Sequence, residues 1–381
     1  MSARDACRAL LKGRFMKHII VVGAGAVGLS CARAALKRGH RVTVLEQGPL
    51  PNPQSASYDQ HRMIRYQYGD AEGYTRMVGE AFGAWDRLWQ DIGERHFVPT
   101  GTFGVSLEAN DEIQLTVPTF KRLGISHELM DGAAAERLCP QLTLPASAQG
   151  LYQADGGVLF ADRIVDSLLA WVRGQGGELR SQSKVAHIDT FSSRVTLDNG
   201  DVLQGDAVVV AAGAWLPGLM PQLDDLPIWR QAVCYVDAPQ QYLADWANGP
   251  CLTDLGIGDN YALAPAGGTG LKFGSGLHRR AGTPALTGFK ADVQEGYEVI
   301  AHFAPYLRDA SEYRPVRMAV GYYVKDASSK FRVQQDGQAV VVTNCDGQMF
   351  KFSTLMGERV LACIDGELAA DELTRWAAGE R

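Results

Sequence analysis

The chain has 381 residues, 37 Lys and Arg against 43 Asp and Glu, a formal net charge of −6, and 46% hydrophobic residues. This length exceeds what one hydrophobic core usually serves, so about two domains with ample core are expected. The acidic balance lacks the basic footprint of a nucleic-acid or anionic-membrane binder, and no apolar run reaches the roughly 18 residues of a membrane span.

Seven cysteines, at 7, 31, 139, 234, 251, 345 and 363, are scattered without a C-x-x-C pair. That pattern predicts reduced thiols in a cytoplasmic protein, with no disulfide frame and no metal site. Residues 1–15 carry Arg4, Arg8, Lys12 and Arg14 but no long apolar core or cleavage site. No signal peptide is expected there, and Met16 is a candidate start.

The first organised unit spans residues 18–46. Four apolar residues, Ile19 to Val22, predict a buried parallel strand, and Gly23, Gly25 and Gly28 follow in G-x-G-x-x-G spacing where a helix must begin. Gly23 permits the tight turn, Gly25 lets the backbone approach a pyrophosphate, and Gly28 lets the helix pack on the strand. The helix is predicted to reach about Arg38 and stop at Gly39, and a second strand over residues 41–45 delivers Glu46. A carboxylate at that point can accept both hydroxyls of a ribose, so a dinucleotide site is expected.

Residues 47–57 read as a loop from their prolines and small side chains. In residues 58–69, Arg62 and Arg65 are three apart and would share a helix face, either as a solvated basic turn or as cations awaiting an anion among Met63, Ile64 and nearby tyrosines. Apolar residues from Met77 to Ile92 recur at helical spacing and predict a core helix over 74–93. Residues 95–150 mix short β-like runs such as 102–106 with helical pieces. Asp162 is expected to cap a helix running to Arg173, followed by strands near Leu179, Val185 and Val195 with a turn at 198–201. The apolar run 206–215 predicts another buried strand beside the first. From 227 to 331 the pattern turns antiparallel, with strands at 232–236, 261–264, 271–274 and 318–324. Residues 339–352 then predict a buried strand that leads into a helix to about Ile364.

Taken together, the opening unit, the Val-Val-Ala-Ala-Gly-Ala-Trp run ending at Trp215 and the segment 347–352 resemble the D-amino-acid-oxidase-like flavoproteins, nearest the monomeric sarcosine oxidase and N-methyltryptophan oxidase branch. The likeness runs from Met16 to about Gly366. Its most specific pieces are Arg-x-x-Arg-x-x-Tyr at 62–68, Gly-Leu-Lys at 270–272 and Phe-Lys-Phe at 350–352. The resemblance implies an α/β fold: a Rossmann-like FAD-binding domain (16–94, 151–222 and 332–370) with a second, mainly antiparallel β-sheet substrate domain (95–150 and 223–331), and flexible ends at 1–15 and 371–381. It implies FAD held by Gly23, Gly25, Ala26, Val27, Gly28, Glu46, Gln47, Ser57, Arg62, Val185, Ala212, Gly213, Trp215, Gly347, Gln348, Met349, Phe350 and Lys351. Arg65 and Lys351 would bind the substrate carboxylate, Arg62 would lie near the flavin ring, and Tyr261 and Tyr323 would line the amine pocket. Lys272 would face the flavin where oxygen is reduced; its alternative is a sheet lysine snorkelling to water. The implied protein is a monomer that oxidises a secondary or N-substituted amino acid, with O2 as acceptor and H2O2 as product.

Three departures reshape that expectation. Gly321 stands where covalent members carry the flavin-linking cysteine, so FAD is expected to bind non-covalently. Gln348 and Met349 replace a histidine and a small residue, and Tyr58 stands where a histidine is usual, so the amine itself does not carry over. A flavin dehydrogenase passing electrons to a carrier, a pyridine-nucleotide dehydrogenase and a non-catalytic nucleotide-binding protein are the competing readings.

Overall fold

A computed structural model describes residues 16–256 and 258–380; the basic segment 1–15 lies outside the described residues. The strand His18–Val22 sits inside a six-stranded sheet ordered Arg332–Asp336, Ala339–Thr343, Ala207–Val210, His18–Val22, Arg41–Leu45, Glu178–Arg180. All neighbours run parallel except the first pair. Ile19 stands opposite both Ala207 and Val42.

Alternation along these strands feeds two cores. Ile19, Val21, Val42 and Val44 pack under the helices Ala26–Lys37, Glu72–Ile92, Ala161–Gly174 and Ser353–Ile364. Ile20, Val22, Leu45, Val208 and Val210 face the other way, onto a three-stranded sheet built from Val185–Asp189, Arg194–Leu197 and Val202–Gln204. Both faces are covered, which explains why these strands read as unbroken apolar runs.

The second large sheet has nine strands. Its long members, Ile228–Asp237 and Arg314–Val324, pair antiparallel over their whole length. Its single parallel pairing joins Cys251–Leu255 to Thr102–Ser106. Trp246, Phe273, Phe303 and Tyr313 fill the core behind it. A fourth, small sheet pairs Arg62–Ile64 and Phe97–Val98 with Gly157–Leu159.

That small sheet corrects the expected helix face for the two arginines. Arg62 begins a strand and Arg65 follows its end, so their spacing of three places them on opposite sides of an extended chain. Asp162 lies in the first turn of the helix Ala161–Gly174, with Phe160 in the capping position. The stretch 371–381 is also corrected: Ala370–Ala377 is a helix whose Leu373 and Trp376 are buried in the core with Phe331 and Val333. Apolar residues three apart in a polar segment provide one narrow buried stripe, enough to dock a short helix. None of the helices among the described residues is long and apolar enough to cross a membrane.

Candidate active site

The cleft that contains the glycine turn has a volume of about 1400 Å³, and every candidate site residue named above lines it except Gly28. Gly28 instead packs helix on strand: a Cβ there would overlap the Gly23 carbonyl oxygen. Gly23, at φ +102°, makes the turn into the helix. Gly25 precedes the helix Ala26–Lys37 without a side chain to cap it, while the Ala26 N–H donates to Ser57 Oγ at 3.0 Å. The helix start is thus left open toward the cleft, suited to phosphate.

Glu46 is 6% exposed at the end of its strand. Its carboxylate accepts from the N–H of Ala24 (3.0 Å), the N–H of Gly48 (3.0 Å) and Asn52 Nδ2 (2.9 Å). These donors fix its orientation beside the glycine turn, and two oxygens offer further lone pairs for ribose hydroxyls. The donors, the bare helix start and the length of the cleft fit FAD.

At the other end of the cleft a buried carboxylate gathers cations from distant segments. Asp59 accepts from Lys272 Nζ (3.0 Å), Arg62 Nη1 (2.9 Å), Arg317 Nη2 (3.0 Å) and the Tyr235 hydroxyl (2.7 Å). Burial raises the Asp59 carboxyl, but Lys272 and Arg62 overcome it and hold it well below the usual carboxylate range. Burial pulls Lys272 down to about 8 against the attraction of Asp59. Lys272 Nζ also donates to the His61 carbonyl. The His61 ring is neutral, pushed down to about 2 by burial and by Lys272.

Arg65 and Lys351 meet across Tyr68. The Arg65 guanidinium lies 4.8 Å from the Tyr68 ring centroid, and Lys351 Nζ lies 5.2 Å from it while donating to the Tyr68 hydroxyl at 2.8 Å. Arg65 also pairs with Glu112 Oε1 at 2.6 Å and donates to the Gln67 carbonyl. Lys351 is 6% exposed and has no carboxylate within 4.0 Å among the described residues. Burial first, then Arg65, press its ammonium well below the ordinary lysine range.

Local backbone aims Lys351. Asn344, Asp346 and Gly347 take positive φ of 48°, 50° and 67°, a turn that ends the strand Ala339–Thr343. The short helical turn Met349–Phe352 follows, and Trp85 Nε1 donates to the Lys351 carbonyl at 2.8 Å. The Tyr323 ring lies against Gly347. Burial pushes Tyr261 up to about 12 and raises Tyr323 as well, so both phenols stay protonated.

Sequence reasoning passed over Asp59, Tyr235, Glu112, Arg279 and Arg317. The Asp59–Arg62 spacing of three was a visible signal, since it recurs in the ion pair. Nothing local announced Arg317 or Tyr235, which reach Asp59 from strands far along the chain.

A sheet of this topology with a glycine turn, a terminal glutamate and a cation-rich far end suits an enzyme that uses a dinucleotide cofactor. The family model for FAD dependent oxidoreductases, DAO, matches residues 18–362, and the chain belongs to that family. Its FAD dependence and enzymatic nature follow, which sets aside the non-catalytic and pyridine-nucleotide readings. The N-methyl-L-tryptophan oxidase of Salmonella heidelberg (strain SL476) is 24% identical over 374 residues, spanning 94% of this chain and 98% of that protein. Among solved structures, the open form of NikD, described as an unusual amino acid oxidase essential for nikkomycin biosynthesis, is 21% identical with a TM-score of 0.78 over 94% of this chain and 97% of that one. L-proline dehydrogenase from P. horikoshii gives a TM-score of 0.80 at 17% identity, over 96% and 97% of the two chains. These structural likenesses agree on the fold.

Proposed function

We propose that the protein oxidises the C–N bond of a secondary or N-substituted amino acid to an imine that hydrolyses, with O2 reduced to H2O2. What supports this most is Lys351, a buried ammonium without a carboxylate partner that lines the same cleft as Glu46. An unpaired buried cation is costly, so an anion from the substrate is its natural complement. The curated relative named for an N-methylated amino acid points the same way.

FAD, when bound, would supply the acceptor for the hydride equivalent removed from the carbon of that C–N bond. Around it, Lys351 and Arg65 fix the substrate carboxylate, and Tyr68 beneath both fixes their separation. Tyr261 and Tyr323 wall the amine pocket and exclude water. Burial disfavours charge on Lys351, and an anionic group placed between it and the permanently charged Arg65 would restore that charge while orienting the neighbouring C–N bond. Arg62 and Lys272 hold positive charge beside the reacting end, stabilising negative charge as it grows there.

In this reading the six-stranded sheet and its helices form the FAD-binding domain and the nine-stranded sheet the substrate domain. The six free cysteines among the described residues suit a reducing cytoplasm. The ion pair of Lys272 with Asp59 favours the second reading, a dehydrogenase that hands electrons to a carrier, because a neutralised lysine offers less field to oxygen. Anaerobic screening of N-methyl and cyclic amino acids for loss of flavin colour, followed by air and a peroxide assay, tests both. Bleaching with stoichiometric peroxide supports the oxidase. Bleaching that persists in air supports the dehydrogenase, and a panel with no bleaching overturns the amino-acid reading.

A further inference from the structure

The charges at the substrate end of the cleft can be accounted for one by one. Arg62, Lys272 and Arg317 share Asp59; Arg65 has Glu112; Lys325 has Asp346. Two cleft-lining cations at this end, Lys351 and Arg279, have no carboxylate within 4.0 Å among the described residues. Lys351 is used in the reading above. Arg279 is not.

Arg279 opens the short strand Arg279–Ala281 at the edge of the nine-stranded sheet and is half-buried. Its Nε donates to the Gly276 carbonyl at 3.0 Å, which anchors the stem and leaves the two terminal nitrogens toward other partners. The guanidinium acts electrostatically on both Tyr323 and Tyr261. The Tyr323 ring also lies against Gly347, four residues before Lys351. The tyrosine that walls the amine pocket thus feels the charge of Arg279 and lies against the turn that leads to Lys351.

A guanidinium anchored at Nε and without a carboxylate partner is suited to a planar, bidentate anion. We propose that Arg279 binds a second anionic group on the substrate, so that the substrate is an N-substituted amino acid carrying two acidic groups. The first is held by Lys351 and Arg65 and the second by Arg279, with the C–N bond between them beside Tyr261 and Tyr323. This inference rests on the carboxylate reading of Lys351.

The test uses the FAD-loaded enzyme and thioethers, in which sulfur replaces the amine nitrogen and no imine can form. The probes are (methylthio)acetate, with one carboxylate, and a series with carboxylates at both ends, from thiodiacetate upward by one methylene at a time. Binding is read by perturbation of the flavin absorbance and by calorimetry. The best dicarboxylate should bind about tenfold or more tighter than (methylthio)acetate, as a charge-assisted contact implies. Arg279→Gln should remove that preference while leaving (methylthio)acetate affinity unchanged, whereas Lys351→Met should weaken both kinds of probe. Equal affinity across the series in the unmodified enzyme, or a preference that survives Arg279→Gln, overturns the inference. Should Arg279→Gln fail to hold FAD, Arg279→Lys replaces it: a shorter cation must change the preference or the best chain length, and an unchanged series again overturns the proposal. If Lys351→Met leaves (methylthio)acetate binding intact, the carboxylate reading of Lys351 falls, and that result is separate from the ratio that reports on Arg279.

Discussion

Lys272 Nζ stands 3.0 Å from Asp59 Oδ2, and the two residues titrate in a linked way. Asp59 stays ionised at any working pH because cations surround it, while burial brings Lys272 within reach of ordinary buffers, at about 8. The lysine is charged below that value and neutral above it. Any step that draws on its charge is therefore complete at pH 7 and fades as pH rises past 8.

This gives the first prediction. The rate at which air restores flavin colour should fall above about pH 8, and Lys272→Met should lack that break. In Asp59→Asn the carboxylate that supports the ammonium is gone while Arg62 and Arg317 remain, so the break should move down by about one unit or more. A break that stays near 8 in Asp59→Asn would assign the titration to another group.

Replacing Lys351 by Met should weaken binding of a carboxylate substrate analogue by on the order of 1.5–3 kcal/mol, the worth of a charge-assisted hydrogen bond. Lys351→Met keeps the volume, and Trp85 still holds the backbone carbonyl, so folding should change little. Arg65→Met should lose similar affinity, with added instability because Glu112 loses its partner. Unchanged apparent affinity in both variants would sink the clamp.

Two glycines of the turn should fail differently. Gly28→Ala places a Cβ onto the Gly23 carbonyl oxygen, so it should lower the melting temperature even without FAD. Gly25 has φ −74°, which any residue adopts, and its Cβ would stand 3.2 Å from the Ser57 hydroxyl. Gly25→Ala should melt close to the parent without FAD yet bind FAD more weakly. Equal loss of apoprotein stability in the two variants, measured by thermal unfolding, would contradict this division of roles.

We expect acid precipitation to leave the yellow colour in the supernatant, because Gly321 offers no thiol. Cys345 is the one cysteine that lines the cleft among the described residues, and burial raises its thiol, keeping it protonated and unreactive. A Cβ at Gly321 meets nothing within 4 Å, so Gly321→Cys should fold and present a thiol at that place. Colour retained in the pellet of the parent protein would refute the non-covalent expectation.

The nucleotide half was legible because its signals are local. Arg41–Leu45 spans the strand expected at 41–45, and the helix after Gly25 stops where Gly39 said it would, within two residues. The charge arrangement around Asp59 was not, since Lys272, Tyr235 and Arg317 come from three strands of another sheet and only folding makes them neighbours. The terminal helix Ala370–Ala377 was missed for a different reason. Its sequence is polar except for a stripe one residue wide, and only the presence of Phe331 and Val333 decides that the stripe is buried.

The order of strands in the six-stranded sheet also bears on how the protein is made. His18–Val22 is made well before its neighbour Ala207–Val210, which comes some 190 residues later, and the strand beyond that, Ala339–Thr343, is made later again. The helix Ser353–Ile364, which packs with Ala26–Lys37, follows later still. The glycine turn therefore waits, half-covered, until these distant segments have emerged, and long-range pairing of this kind forms slowly. Nascent chains should depend on chaperones to shield the apolar strand, and cofactor capture should be a late event that locks segments distant in sequence into one sheet.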